Sequence, residues 1–516
     1  MANFATYRHN SYDGGLNNTD SRRDIERDQA SFLENWDISM RGRLQSRKGL
    51  TQVGDVQTGT IYGAGHYQKT NDTHYLIINE GVNVKYLSTN AFVAVGTAST
   101  VTKSERMDFA NCFVKDKIYM SSDGNGLLAW DGGSAGLTTI SNAVAGNRIL
   151  WYQNHLFHIN NVLVSSTKYP NRIYWSDFGN PEAYTTGTNF IELPGEGRAI
   201  TMNVLGNVLV VFKENSYMFL SGYGSNSWAL TASSTSIANT DSSVGCVAVR
   251  GTVRVSANEL WFIDNQGYIR RLTQTDYGFN SKIMSSNLEK TRKSLNMGQL
   301  SQAVAWYDDE KVYFAVATGS STVNNLVLVF DRLASERNNG KEAWTTYTGW
   351  EVNDLISYGS TDPILHIIGG SSKKVYSHTG GSDAGADIDC RWDGKNDDYD
   401  KPERWKKHTY GYIYSQAQAN EDIDIYASIE GTTFAHLASF NLNSQGTALG
   451  PTGLAKMGPT GSFILGGATD LEKKYYFASG GGAITGKTMV MSIRSKTKTQ
   501  IHVDNFTNHF MIRSLK

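Results

Sequence analysis

Apolar and aromatic residues recur along the chain in short runs, each followed by a polar or glycine-containing turn and a second run. His74-Tyr75-Leu76-Ile77-Ile78 leads through Asn79-Glu80-Gly81 into 82–87, and Lys117-Ile118-Tyr119-Met120 leads through 122–126 into 127–130. His155-Leu156-Phe157-His158, 207–212, Glu259-Leu260-Trp261-Phe262-Ile263, Lys311-Val312-Tyr313-Phe314 and Pro363-Ile364-Leu365-His366-Ile367 follow. The first apolar positions of the last five are Leu156, Val208, Leu260, Val312 and Ile364, spaced by 52, 52, 52 and 52 residues. The earlier steps, from Tyr75 and Ile118, are 43 and 38. Such a unit is too short to bury its own faces and must stack on its neighbours. Units of about 40–50 residues made of short strands and glycine turns have the spacing of propeller blades. The pattern predicts six or seven blades over 55–380. A run of β-sandwiches is the alternative, because its strands also recur between turn signals.

Asp264-Asn265-Gln266-Gly267 has hairpin spacing between two apolar runs, with Gly267 able to take a positive φ. The runs 208–212 and 327–330 are apolar on both faces and are expected to be interior strands. Two regions lie outside the repeat. Ser21 with Asp24 resembles a capping box, and Ile25, Phe32, Leu33 and Trp36 share one helical face, so 21–36 is predicted to be one short N-terminal helix. Beyond a Gly/Ser linker at 380–385, alternation resumes at 409–414 and 423–429. The expected organisation is an N-terminal arm (1–54), an irregular β-propeller (55–380) and a separate C-terminal β-sandwich (386–516), with a long loop at 441–463. The fold class is all-β.

Composition supports strands and narrows the function. The 516 residues include 51 Gly, 27 Tyr and 11 Trp but only 7 Pro, which suits strands joined by tight turns. Lys plus Arg number 48 against 49 Asp plus Glu, which argues against a general DNA-coating role. No apolar stretch of about 18 residues exists, and no membrane span is expected. The start lacks the apolar core of a signal peptide. Cys112, Cys246 and Cys390 are too scattered for a disulfide framework or a clustered zinc site, and synthesis in a reducing cytosol is expected.

Candidate chemistry is sparse. The 393–400 segment carries Asp393, Asp397, Asp398 and Asp400, but from Asp393 the sixth position is Asp398 and the twelfth Arg404, so the EF-hand calcium pattern fails. It reads as a solvated acidic loop beside the basic run 401–407. His155 and His158 fall on opposite faces of a strand and are poor partners for one metal. Glu430, His436 and His502 have no spacing that singles them out. Zincin and dinucleotide fingerprints do not occur. The stretch 121–130 comes near the sialidase turn S-x-D-x-G-x-T-W once, and no other unit repeats it. No catalytic residue, metal or cofactor is assigned.

Several ordered segments resemble the propeller-containing tail nozzle, or tail stabilisation, proteins of short-tailed bacteriophages. They are Tyr12-Asp13-Gly14-Gly15-Leu16-Asn17, then Asn35-Trp36-Asp37-Ile38 and Gly42-x-Leu44-x-x-Arg47-x-Gly49, then 172–182, 205–213, and 243–250 with 259–270. They cover 12–275; the C-terminal part has no matching motif, and Val249-Arg250 stands where the family often has Pro-Arg. The resemblance implies a non-enzymatic structural virion protein of the tail, assembled in the host cytoplasm. It implies a homo-hexameric ring below the portal–adaptor complex, touching other tail proteins and retaining the genome. Genomic DNA would pass through the lumen at ejection without sequence-specific binding. Asp13, Gly14, Gly15, Leu16 and Asn17 form the candidate assembly segment. They are read either as a backbone turn setting the helix against the first blade or as a docking element for a neighbouring subunit. A glycan- or receptor-binding tail protein, with Trp392 or Trp405 as a sugar platform, is the alternative reading, and a tail-associated glycosidase is a third.

Overall fold

A computed structural model describes residues 3–222, 228–232, 243–275, 278–416, 421–442, 472–478 and 485–512. Each of the seven apolar runs is the second strand of a separate antiparallel blade. Leu156, Val208, Leu260, Val312 and Ile364 lie in His155–Ile159, Val208–Lys213, Glu259–Ile263, Lys311–Val316 and Ile364–Gly369. Tyr75 and Ile118 lie in His74–Glu80 and Lys117–Ser122. The innermost strands are Ile61–Gln68, Asp108–Cys112, Arg148–Tyr152, Ala199–Leu205, Thr252–Ser256, Val304–Asp308 and Asp354–Tyr358; each packs on the next, and the last packs on the first. The result is a closed seven-bladed β-propeller. Its seventh blade takes its outer strand, Thr51–Val53, from the N-terminal arm, with Val375 opposite Val53. That strand joins the two ends of the ring by pairing with Lys374–Ser377.

The second and third strands are largely apolar because they have a strand on either side and a blade against each face. Every residue of Val208–Lys213 is buried, and so is all of Leu326–Asp331 except Leu326. Neighbouring blades share apolar layers: Tyr67, Ile77, Met120 and Trp130 between blades one and two, and Phe157, Trp175, Leu209 and Val211 between blades three and four. The core is thus a ring of layers. Two-residue turns close the first hairpins where Gln153-Asn154 and Asp309-Glu310 all take positive φ, the conformation that matches strand twist. The 264–267 turn forms as expected, with Gly267 at φ +80° and Asp264 Oδ1 accepting from the amides of Gln266 and Tyr268.

Residues 21–36 do not form the expected helix. The Ser21–Asp24 hydrogen bond is present, but the chain makes turns to 28 and then the strands Gln29–Ala30, Phe32–Glu34 and Trp36–Ile38. Tertiary pairing overrides the helical spacing: Glu34 pairs with Thr346 of blade six, and Leu33 with Trp392 of the C-terminal part. Among the described residues the α-helices are Glu289–Ser294 and Arg332–Arg337, both at blade six or leading into it.

The C-terminal strands do not stand apart either. Ile388–Asp393, Met489–Thr497, Asp422–Ile429 and Ala435–Asn441 continue the blade-six sheet through Phe32–Glu34, making nine strands. Lys406–Gln416, His502–Ile512 and Glu472–Ala478 form the other sheet, with Leu44–Ser46, Trp36–Ile38 and Asn3–His9 of the arm. Ile413, Val503 and Phe506 of one sheet and Ile425, Met491 and Ile493 of the other share a core with Phe262 and Trp344 of the propeller. The loop expected over 441–463 lies, past Leu442, outside the described residues.

One arginine joins these parts. Arg47 is 1% exposed and uses all five N–H donors: Nε to Asn35 Oδ1 (2.8 Å), Nη1 to Asp383 Oδ1 (2.8 Å) and Lys48 O (3.0 Å), Nη2 to Asp383 Oδ2 (2.5 Å) and Thr348 O (2.9 Å). Its guanidinium also lies over the Tyr347 and Trp350 rings. The 380–385 stretch, expected as a linker, is therefore pinned, and Leu50 N adds a bond to Ser382 O. Replacing Arg47 by Ala strands a carboxylate and several acceptors, and is expected to cost about 3–5 kcal/mol. Arg47→Lys should recover only a minor part, since an ammonium cannot reproduce the fork; thermal denaturation of the two variants checks both.

Candidate assembly site

The five residues of the candidate assembly segment come together as a tight turn inside the chain. Asp13 Oδ1 accepts from Arg337 Nε (3.1 Å) and Nη2 (2.7 Å), and Oδ2 accepts from Ser11 Oγ (2.9 Å). Gly14 and Gly15 are required for close approach. A Cβ on Gly14 would meet Gln29 Cγ at 2.6 Å, and one on Gly15, at φ +58°, would meet the Trp344 backbone nitrogen at 2.6 Å. Leu16 is buried in the core shared with blade six, and Gly15-Leu16 pairs in parallel with Gln29-Ala30. Asn17 donates to Gln29 Oε1 (3.0 Å) and Asp20 Oδ2 (2.9 Å). Of the two roles considered, the backbone turn is the one these contacts fulfil, and its partner is blade six rather than blade one. The side chains of Leu16 and Asn17 are spent within the chain, so a docking role for them lacks an exposed surface.

The second motif works on the same joint. Gly42, at φ +70°, sits against the Asp13 carboxylate, and Leu44 is fully buried. Gly49 passes so near the 380–385 stretch that a Cβ would meet Ser382 O at 2.2 Å. Together with Arg47, these residues form a clasp linking arm, blade six and C-terminal sheets.

A charged cluster that the sequence reading missed crosses the propeller axis. Asp108 accepts from Arg148 Nη1 (3.1 Å), Arg250 Nη1 (3.2 Å) and the Ile149 amide (2.9 Å). Asp354 pairs with Arg250 Nη2 (3.0 Å) and Arg106 Nη2 (3.0 Å). Asp108 opens the inner strand of blade two, Arg250 precedes that of blade five, and Asp354 opens that of blade seven, so the bridges run from one side of the ring to the other. Burial alone would raise the Asp108 carboxyl, but Arg148 and Arg250 hold it below the usual carboxylate range. A signal was present: Asp108, Arg148 and Asp354 are each the first residue of an innermost strand, but one chain shows no register between strands that far apart.

The other candidates are dispersed. Asp393 pairs with Arg391, while Asp397 and Asp400 pair with Arg27, so three of the four carboxylates spend their charge on arginines, and Asp398 accepts from the Asp400 amide. His155 Nδ1–H donates to Ser176 O (2.6 Å), and His158 Nε2 bonds Tyr184 Oη (2.7 Å), each burying its ring among different neighbours. The 121–130 stretch is a hairpin whose Ser122 donates to Glu105. Glu430 Oε1 accepts from the Lys487 amide, His436 bonds Ser439, and His502 lies in the other sheet opposite Gln45. Trp392 is buried edge-on against His9 and Tyr12, which removes it as a sugar platform, whereas Trp405 is 46% exposed. Among the described residues no group of three or more His, Cys, Asp or Glu could hold a metal ion, and no helix is long and apolar enough to cross a membrane.

No family model matches this sequence, and no curated protein matches it. Similar solved structures include the β-propeller domain of Cps50 (Swd1) from Myceliophteria thermophila, at 10% identity and TM-score 0.41, over 64% of this chain and 98% of that one. YCF48 from Cyanidioschyzon merolae is similar at 11% identity and TM-score 0.39, over 64% and 98%. PorZ, an essential surface component of the type-IX secretion system of Porphyromonas gingivalis, is similar at 9% identity and TM-score 0.38, over 64% and 37%. All three likenesses are distant. The chain is a β-propeller protein on the strength of its own strand pairing and ring closure.

Two outcomes follow. Gly15→Ala, forced into a left-handed conformation against the Trp344 backbone, should lower the melting temperature by several degrees, and Leu16→Ala should cost about 2–5 kcal/mol. The depressed Asp108 carboxyl contributes stability that is present above the unfolded-state value, near pH 4, and is lost as pH falls through the folded-state value. Melting measured between pH 7 and pH 3 should therefore decline more steeply in the wild type than in Asp108→Asn, which should already be less stable at pH 7.

Proposed function

We propose that this protein is a structural subunit of the tail nozzle of a short-tailed phage. It would form a homo-hexameric ring beneath the portal–adaptor complex and conduct DNA without acting on it. The observation that carries this reading is the clasp. The residues that resemble the nozzle family, Gly14 to Asn17 with Gly42, Leu44, Arg47 and Gly49, are those that weld propeller and C-terminal sheets together. A channel wall under the load of packaged DNA requires such a block, and a closed ring requires one heterologous contact repeated about an axis.

The axial cluster adds a constraint. Salt bridges run across the propeller axis between Asp108, Arg250 and Asp354, so the DNA path in this reading is the bore enclosed by the copies and not the centre of any propeller. DNA that must pass without sticking suits a near-neutral chain of net charge −1, because strong phosphate contacts would slow it.

The test is native mass together with negative-stain electron microscopy of the purified chain. The expected result is six times the 56.9 kDa chain mass and a ring with an axial bore. A protein that stays monomeric, even when mixed with portal–adaptor complex, would overturn this reading in favour of glycan or receptor binding.

A further inference from the structure

Blades six and seven form a cleft of about 720 Å³ on the face that carries their first hairpin turns. Asp37 and Lys311 lie at 2.8 Å inside it and neutralise one another. That leaves Asp308, Asp309 and Asp362 with only Lys48 as counter-charge in the lining. Ser357 Oγ donates to Asp308 Oδ1 (2.7 Å), and burial pushes the Asp308 carboxyl up. His378, in the same lining, is buried and has no hydrogen-bond partner for Nε2. Tyr307 and Ile364, which is 39% exposed, add an apolar wall. The chemistry is that of a receptor for a cationic group carried beside an apolar one.

The chain itself bears such a group. Lys401, Pro402, Glu403, Arg404 and Trp405 are all exposed. Their loop is held in shape from beneath by buried Lys406, whose ammonium donates to the carbonyls of Lys401 (2.7 Å), Arg404 (3.0 Å) and Lys487 (2.6 Å). An ordered loop carrying Trp and Arg has the composition of an interface anchor and pays little ordering entropy on docking.

The two features cannot meet within one copy. Lys487 under the loop and Lys498 at the far end flank the strand Met489–Thr497, which spans about 26 Å at ~3.3 Å per residue. Lys498 shares a small cavity with Lys48 and Thr379, which also line the acidic cleft. Donor and receptor therefore sit at opposite ends of the C-terminal sheets, as a head-to-tail contact requires.

We propose that the 401–405 loop of one copy inserts into the acidic cleft between blades six and seven of the next. This rests on the ring-forming reading and specifies its interface. The experiment compares the assembly of full-length wild type, Asp309→Lys/Asp362→Lys, Lys401→Glu/Arg404→Glu and the combination of all four, by native mass spectrometry. Circular dichroism and melting temperature verify folding of each variant. Each charge-reversed pair should weaken assembly at least tenfold, and the combination should restore it. Independently, a mixture of Asp362→Cys and Arg404→Cys chains should cross-link into dimers under mild oxidation, which neither does alone. Wild-type rings unaffected by both reversals would overturn the proposal and leave the ring standing. So would loss of assembly with neither rescue nor cross-link. A wild type that never assembles with portal–adaptor complex present would overturn the ring reading itself, and this interface with it.

Discussion

Arg47 is the constraint on which the arrangement of the chain depends. A guanidinium with 1% exposure can exist only if every N–H finds an acceptor, and its acceptors come from three separated stretches: the arm at Asn35 and Lys48, blade six at Thr348, and the 380–385 turn at Asp383. Satisfying one side chain therefore fixes three backbones together. The glycines around it follow from that closeness. Gly49 lies against Ser382 and Gly15 against Trp344 because the segments leave no room for a Cβ.

With that joint in place, the rest of the architecture has little freedom. The arm supplies the outer strand of blade seven on one side of Arg47 and the strands Phe32–Glu34 and Trp36–Ile38 on the other. Propeller closure and the attachment of the C-terminal sheets are two uses of the same fifty residues. The axial cluster of Asp108, Arg148, Arg250, Asp354 and Arg106 ties the ring from within, and low dielectric makes its pairing strict. A molecule tied at hub and rim is suited to bear load, which is the property the proposed nozzle role draws on.

The propeller was legible because its signal is local and repeated. A second strand is buried on both faces, so it is mostly apolar wherever it occurs, and seven such runs mark seven blades. The arm was misread for the opposite reason. Ile25, Phe32, Leu33 and Trp36 fit a helical face, but the strand Phe32–Glu34 is fixed by pairing with Thr346 and with Trp392 and Asp393, more than three hundred residues away. Trp392 illustrates the same limit: nothing near it in the chain distinguishes a sugar platform from a core ring packed on His9 and Tyr12. The motif glycines and Arg47 stood out as residues, but their work did not.

By itself the sequence determined the all-β class, the blade period and the turn positions, since these depend on strand alternation and φ preferences within a few residues. Only the tertiary structure decided where the arm goes, that four C-terminal strands continue the blade-six sheet instead of standing apart, and that three arginines and two aspartates meet on the axis. Those outcomes arise from pairing between distant segments, where each partner's environment is created by the other and neither carries a mark of it alone.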